Sequence, residues 1–420
     1  MKQSACDPSP MSQQQGPIIV VSDDKQPALM AGLGEATFPV IETSSTQASR
    51  AVAQLHPAIV VAVTGEGDGA ALAALASQID GTEPYLPLVV INPKSTLPEN
   101  AIPFSQANDK WDRLLPRLRA ALRVRTLHAT VLRRLSDQVV KTVVAEIDPV
   151  RDATVLLVGR AGPYPALSVA LGERMGVIGA LSIEAAAKHL NTRDIDGVVL
   201  GEGFSDRVVD AFLTVLSEDS RFRNLPVVST LAGLAPAYDL PNLEVIIGNP
   251  AHVAANALPL IRQHAFDAHL SRTLRSIDAG GLLDPLTGLL TVEAFDRDFA
   301  TAVRQTLANG GGLSVARFGF DPANSRIQRD GARLLSRLMR QMDFGALRED
   351  GSALVVFAET DLRMAHVIAR RLSSVIRHTT HDNRDTRRSE PTITVAALLP
   401  SDTAQSLLAR LADEGRRAAS

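Results

Sequence analysis

The chain has 420 residues, of which 45% are hydrophobic and 21% are charged, and its formal net charge is -3 at pH 7. This length predicts about three domains, and the small net charge excludes a global attraction to nucleic acid or to a membrane surface. A single cysteine, Cys6, excludes a disulfide framework and favours a reducing compartment.

The first 16 residues are rich in Gln, Ser and Pro, so we expect a disordered leader. They lack the basic end and apolar core of a signal peptide, and no apolar run elsewhere reaches the length of a membrane span. These features predict a cytoplasmic protein.

Short apolar runs alternate with helical patterns between residues 17 and 125. The runs have the length and continuity of buried parallel strands. Such alternation predicts a doubly wound, flavodoxin-like α/β sheet. The predicted strands are 18–21, 56–63 and 86–91, and the predicted helices are 27–33 and 69–79.

Residues 111–135 form a helical pattern with seven arginines and lead into a predicted helical linker over 126–151. A basic stripe can contact nucleic acid. No helix-turn-helix, zinc motif or aromatic platform accompanies it, so a solvated face or a dimer contact is favoured.

A second module, predicted over residues 152–265, repeats the order of the first. Its predicted strands are 154–158, 195–200, 225–229 and 245–247. The repetition indicates that one α/β fold occurs twice in the chain.

Both modules resemble response-regulator receiver domains. Asp23 and Asp24 stand where that family has its acidic metal pair, but Val63 stands at the phosphoacceptor position of the first module and Gly201 at that of the second. The resemblance therefore implies two degenerate receivers without a phosphoacceptor, used for docking or dimerisation. Other altered family positions are Asn92, Gln106, Gly159, Arg160 and Asn249.

A helical hinge is predicted over 266–283, before a third α/β module over 284–420. This module combines apolar or β-branched strand patterns with two helical patterns. The strands are predicted at 313–320, 354–357 and 391–397, and the helices at 365–372 and 403–417.

Arg340 and Asp343 are the best candidates for ligand binding. Apolar residues recur at helical spacing from 335 to 342, so we expect this pair on the opposite, wetter face of a helix. A guanidinium offers a planar fork to O6 and N7 of guanine, and a carboxylate accepts N–H donors from another edge of the base. The alternative is a surface ion pair worth roughly a few tenths of a kcal/mol.

Two other sequence motifs lie at set distances before and after this pair. Residues 283–289 read L-D-P-L-T-G-L and residues 349–353 read E-D-G-S-A. Together they resemble the GGDEF domain of diguanylate cyclases, which opens on D-x-L-T-G-L and carries an inhibitory RxxD motif five residues before its signature turn. The resemblance covers roughly the last third of the chain and implies a cyclic di-GMP site formed by Arg340, Asp343 and Arg371.

The same comparison predicts that the domain is not an enzyme. Gly351 and Ser352 replace the acids of the signature turn, and Arg317 replaces the metal-binding aspartate of the first strand. Mg²⁺ requires hard oxygen ligands, so no metal is expected. In the short segment that follows the first strand, Asn324 and Asp330 are predicted to have loop or helix-cap roles.

The order receiver, receiver, GGDEF resembles the PleD group of response regulators, and its PopA-type, catalytically inactive branch in particular. This implies a homodimeric cyclic di-GMP receptor at a cell pole. Its implied partners are a protease adaptor and the cell-cycle regulator CtrA, with no nucleic acid. Two alternatives stay open: a scaffold that binds no nucleotide, and a residual diguanylate cyclase. His378 and His381 are weak metal candidates in a predicted exposed loop.

Overall fold

The computed structural model describes residues 17–34, 39–65, 69–93, 96–106, 111–136, 152–160, 162–234, 238–309, 312–340, 342–379 and 391–419. The predicted leader, most of the predicted linker and His381 lie outside the described residues. The chain forms two compact units, Met1–Ala129 with Leu213–Gln263, and Thr130–Phe212 with His264–Ser420. The domain limits predicted from the sequence stay a prediction.

The first unit contains a five-stranded parallel sheet in the order β2-β1-β3-β4-β5. Two of its three central strands, 18–21 and 88–91, are buried at every residue, and the strand between them, 59–63, is buried at all but its last. This confirms the predicted alternation of apolar strands and helices. The elements are β1 (Ile18–Val21), α1 (Pro27–Gly34), β2 (Val40–Thr43), α2 (Ser45–Leu55), β3 (Ile59–Val63), α3 (Gly69–Ile79), β4 (Leu88–Ile91), β5 (Ala101–Phe104) and the helix α4 (Leu114–Ser136) that follows.

The next strands are also parallel. In the second unit β6 pairs with both β7 and β8, and in the first unit β9 pairs with β10. The elements are β6 (Thr154–Val158), α5 (Tyr164–Gly172), β7 (Gly176–Ala180), α6 (Ile183–Thr192), β8 (Gly197–Leu200), α7 (Asp206–Glu218), β9 (Val227–Ser229), β10 (Leu243–Val245) and α8 (Pro250–Asp278).

The fifth strand of this module was predicted at 245–247, and the structure has it two residues earlier, at Leu243–Val245. The strand is β10, and its central residue Glu244 is fully buried. Glu244 accepts hydrogen bonds from Arg117 Nη2 at 2.7 Å and from the Ser105 amide at 3.0 Å. A buried charge needs such partners, and they lie more than a hundred residues away along the chain.

The solvated face predicted for the basic helix is wrong for three of its arginines, all in the first unit. Arg117 is fully buried and also donates to the carbonyl of Pro103 at 2.6 Å. Arg113 donates to the Leu243 carbonyl, and Arg125 to the carbonyls at 84 and 85. These guanidiniums donate to backbone carbonyls of their own unit instead of facing solvent.

The last third of the chain folds around a four-stranded antiparallel sheet in the order β12-β13-β11-β14. Apolar side chains pack on both faces, with Phe318 and Phe357 in one cluster and Phe295 and Phe299 in the other. The elements are α9 (Val292–Asn309), β11 (Leu313–Gly319), α10 (Ser325–Leu338), β12 (Phe344–Leu347), β13 (Ala353–Ala358), α11 (Leu362–Thr379), β14 (Thr392–Ala397) and α12 (Ala404–Ala419).

Helix α10 is fixed at its N-terminal half by residues 152–154 of the same unit. Arg326 donates to the Ala153 carbonyl at 2.6 Å and to Thr154 Oγ1 at 2.8 Å. Arg329 pairs with Asp152 at 2.5 Å. These contacts position the helix that leads into the candidate ligand-binding pair.

The chain before this module is helical, as predicted for the hinge, but α8 is one continuous helix through residues 265 and 266. Two glycines with positive φ, Gly280 and Gly281, follow its end. Among the described helices, none combines the length and apolar character needed to cross a membrane.

His269 of α8 is only 4% exposed and lies near Arg272 and Arg333. Burial, together with repulsion from these two guanidiniums, lowers the pKa of its imidazole to about 4. In the unfolded chain the pKa is about 6.5, so the unfolded state binds more protons between these two values.

We therefore expect the free energy of unfolding to rise with pH from about 4 to about 6.5, with a contribution from His269 on the order of 3 kcal/mol. The variant His269→Gln should flatten this slope in urea denaturation, whereas His366→Gln, at an exposed position on α11, should keep it. Equal slopes for wild type and His269→Gln would contradict the account.

Candidate ligand-binding site

The segment with Arg340 and Asp343 is a turn and not a helix. Helix α10 ends at Leu338, Met339 is extended, and the Asp343 amide donates to the Arg340 carbonyl at 2.9 Å. The predicted helix through 343 is wrong because β12 starts at Phe344, where it pairs with β13. The chain must therefore leave the helix before it enters the sheet.

The carboxylate of Asp343 is buried, with its side chain 1% exposed. Its Oδ2 accepts from Arg340 Nε at 3.0 Å, and its Oδ1 accepts from the Ala358 amide at the end of β13 at 3.3 Å. The predicted solvent-facing position is thus wrong for Asp343. Both of its oxygens are used inside the protein, so in this structure Asp343 orients Arg340.

The side chain of Arg340 is 48% exposed. Its Nη2 donates to Thr360 Oγ1 at 3.0 Å, beside the Nε–Asp343 bond. A guanidinium has five N–H donors, so among the described residues three of them have no protein acceptor. The cation is held along one edge and open along the other.

Arg371, the third predicted ligand residue, is exposed on α11. It lies about 14 Å along the helix axis from Leu362, the first residue of α11. In the described part of the chain no hydrogen bond joins it to Arg340 or Asp343. The structure therefore brings two of the three predicted residues together.

Thr360 is a site residue that the sequence analysis did not identify. It lies at the start of α11, next to Asp361, whose carboxylate accepts from the Met364 amide at 2.7 Å. A threonine and an aspartate directly before a helical pattern are typical of a helix N-terminus. That signal marks the turn but gives no indication of a contact with Arg340.

Residues 348–352 form the hairpin turn between β12 and β13. The Arg348 amide donates to the Ser352 carbonyl at 2.7 Å, and the Gly351 amide donates to the Arg348 carbonyl at 2.9 Å. Gly351 has φ +76°, and a Cβ there would stand 2.5 Å from the Gln328 side chain. The positive φ favours glycine at this position of the turn, and a side chain there would also displace Gln328.

Arg317 of β11 reaches this turn. Its Nη2 donates to Asp350 Oδ2 at 2.9 Å and its Nε donates to Ser352 Oγ at 3.2 Å. Burial alone would raise the pKa of Asp350, but hydrogen bonds from Ser352 and Arg317 outweigh it and lower the pKa below its ordinary value. A protein cation thus neutralises the carboxylate of the turn.

A cleft of about 420 Å³ opens beside the turn. Its guanidiniums are already paired, Arg317 with Asp350 and Arg348 with Asp296 at 2.8 Å. The lining residues come from the turn, from β11 and β13, from the start of α9 and from α12: Val292, Arg317, Arg348, Glu349, Asp350, Ser352, Leu354, Leu408, Leu411 and Ala412.

Of the two residues expected in loop or cap roles, the structure confirms Asn324. Its side chain caps α10 by accepting from the Ile327 amide at 3.1 Å. The expectation is wrong for Asp330, which lies inside α10 between Arg326 and Arg333, with N–O distances of 3.8 and 3.7 Å.

At the predicted receiver site of the first unit, Asp23 accepts from the Ser45 hydroxyl at 2.6 Å and from its amide at 2.9 Å. These bonds lower the pKa of Asp23. Asn92 and Gln106, expected where the family has its switch residues, bond to each other. The part of the chain that the structure describes contains no group of three acidic, His or Cys residues arranged to hold a metal.

No protein-family model matches the chain, and no curated protein matches it. Solved GGDEF domains resemble about a third of it. The GGDEF domain with coiled coil of DgcB from Caulobacter crescentus, in complex with c-di-GMP, is 16% identical with a TM-score of 0.30, over 34% of this chain and 83% of that one.

Two other similar structures come from Pseudomonas aeruginosa. The GGDEF domain of FimX is 20% identical with a TM-score of 0.29, over 32% of this chain and 94% of that one. The diguanylate cyclase SiaD, in complex with its activator SiaC, is 17% identical with a TM-score of 0.29, over 35% of this chain and 64% of that one.

We expect Arg317→Met to raise the pKa of Asp350, because the carboxylate loses a charged donor. Carbon-detected NMR titration of the carboxyl group measures this shift. The stabilisation from the pair is present above the unfolded carboxyl pKa and is lost as the pH falls through the folded value. The control Arg297→Met, at an exposed position on α9, should leave the midpoint unchanged; an unchanged midpoint in Arg317→Met would refute the proposed pairing.

Proposed function

We propose that this protein is a non-catalytic receptor for cyclic di-GMP that couples ligand binding to the recruitment of protein partners. The observation that carries the proposal is the state of Arg340, whose guanidinium is fixed along one edge and exposed along the other. The resemblance of the surrounding motifs to a GGDEF domain supports the choice of ligand.

The ligand chemistry fits this cation. Cyclic di-GMP offers phosphate oxygens and the O6 and N7 acceptors of guanine, and arginine binds either kind of group through paired N–H donors. One such bidentate contact contributes about 1–3 kcal/mol. In this proposal Arg340 contacts the ligand, Asp343 holds Arg340 in place, and Arg371 contacts a second part of the ligand from α11.

The absence of catalysis is part of the proposal. Two-metal nucleotidyl transfer needs carboxylates that hold Mg²⁺ beside the reacting phosphate. Here the Arg317 guanidinium lies 2.9 Å from Asp350, and a fixed positive charge at this point opposes cation binding. No metal or cofactor is proposed.

For the cellular role we propose a cytoplasmic homodimer that acts at a cell pole in cell-cycle control. The resemblance to PleD-type regulators supports this, with two degenerate receivers as the surfaces that recruit a protease adaptor and a cell-cycle regulator for regulated proteolysis. The ligand would act by favouring one domain arrangement over another.

The variant Arg340→Ala should weaken cyclic di-GMP binding at least about tenfold in isothermal titration calorimetry, since one charged bidentate contact is removed. Arg297→Ala, which removes an exposed arginine of α9, is the matched control and should bind like the wild type. Unchanged affinity in Arg340→Ala rules out the site. If the wild type does not bind cyclic di-GMP, the protein is instead a scaffold that binds no nucleotide.

Incubation of the wild type with GTP and Mg²⁺ should give no cyclic di-GMP by liquid chromatography, because the resemblance to GGDEF domains puts Arg317 at the position of the metal-binding aspartate. An active diguanylate cyclase assayed in parallel shows that product would be detected. Product formation by this chain would establish the residual cyclase instead.

A further inference from the structure

Thr360 lies between β13 and α11 and is 3% exposed. Its Oγ1 donates to the Ala358 carbonyl at 2.7 Å and accepts from Arg340 Nη2 at 3.0 Å. A hydroxyl has one proton to donate. Because that proton is committed to Ala358, the oxygen lone pairs are left to face the guanidinium.

The backbone of Thr360 is fixed from the start of β11. Its amide donates to the Gly312 carbonyl at 3.0 Å, and its carbonyl accepts from Ser314 Oγ at 2.9 Å. A Cβ on Gly312 would stand 2.9 Å from the Thr360 carbonyl carbon, so this approach needs glycine. Glu359, just before Thr360, has φ +47°, a strained value for a residue with a side chain.

Two separate turns therefore hold the same edge of Arg340. Asp343, in the turn before β12, binds Nε, and Thr360, in the turn after β13, binds Nη2. One hydrogen bond would let the guanidinium plane rotate about the bond. Two bonds to adjacent nitrogens set both the direction and the tilt of the plane.

We propose that Thr360 is a positioning residue of the ligand site, which orients the Arg340 guanidinium so that its open edge meets the acceptors of the bound nucleotide. This inference rests on the proposed function, since it concerns binding at Arg340. It extends the site from the RxxD turn to the turn after β13 and to the backbone of β11 that supports it.

Charge and exposure support an orienting role. A half-exposed guanidinium is hydrated by water, so its stability does not require a protein acceptor for Nη2. A neutral hydroxyl also leaves the positive charge available to an anionic ligand, whereas a second carboxylate would offset it. The contact therefore restricts geometry without weakening the attraction for phosphate.

The test compares three variants of the full chain by calorimetric titration with cyclic di-GMP. Thr360→Val keeps the shape and removes the hydroxyl, and it should raise Kd about tenfold, as expected when binding must first order the arginine. Thr360→Ser restores the hydroxyl and should bind within about threefold of the wild type. Thr287→Val removes another buried hydroxyl, the one that donates to Asp284 Oδ2 at 2.5 Å, and should leave Kd unchanged whatever its effect on Tm.

A second readout does not depend on the ligand. In nitrogen-15 NMR the Arg340 Nη2 protons, which face Thr360, should be protected from exchange in the wild type and in Thr360→Ser, and should exchange faster in Thr360→Val. Equal Kd and equal exchange in wild type and Thr360→Val would overturn the positioning role. If the wild type does not bind cyclic di-GMP, the proposed function fails, and the exchange rates alone decide whether Thr360 orients Arg340.

Discussion

The geometry of the candidate site depends on one buried carboxylate. The side chain of Asp343, directly before β12, is buried, and a buried ionised group needs hydrogen-bond donors to its oxygens. The Ala358 amide supplies one donor and Arg340 supplies the other. This single interaction joins the turn before β12 to the end of β13, and it places a guanidinium at the surface in a defined orientation.

The ion pair therefore has a structural consequence and, in the proposed function, a role in ligand binding as well. Removing Arg340 would leave the buried carboxylate of Asp343 without its charged donor, so stability alone favours the arginine. Stability does not require the rest of the guanidinium to stay exposed, nor Thr360 to bind its second nitrogen. Those two features are the ones that a ligand site explains.

A second arginine–carboxylate pair in the same domain has the reverse arrangement. Arg317 is the more buried partner and Asp350 the more exposed one, so the cation points inward into the hairpin. At Arg340 the cation points outward. An arginine–carboxylate pair thus exposes a positive charge to solvent at Arg340, whereas at Arg317 the positive charge neutralises the carboxylate of the turn. This contrast underlies the proposal of a receptor without catalysis.

Much of the fold could be predicted from local patterns, because buried strands such as β1 and β4 are continuous apolar runs. Elements whose partners are distant could not. The charged Glu244 interrupts the apolar pattern of β10, and its partner Arg117 is too distant in sequence to indicate that this charge is buried. Strand β5 contains Pro103, which is unusual in strands but is tolerated in an edge strand.

The candidate site could likewise be predicted only in part, because some of its features depend on residues that are distant in sequence. The spacing of Arg340 and Asp343 was visible in the sequence, but the burial of Asp343 was not, because it depends on the amide of Ala358 in a neighbouring strand. Helical periodicity continued past Leu338 while the sheet required the chain to turn. Thr360 had only the signal of a helix start, since its contact with Arg340 arises from tertiary structure.

The most direct test of the account is a calorimetric titration of the unaltered full chain with cyclic di-GMP in the presence of a metal chelator. The account predicts saturable binding that the chelator does not change, because a guanidinium and not a metal ion meets the ligand. The absence of saturable heat, or binding that disappears with the chelator, would contradict it.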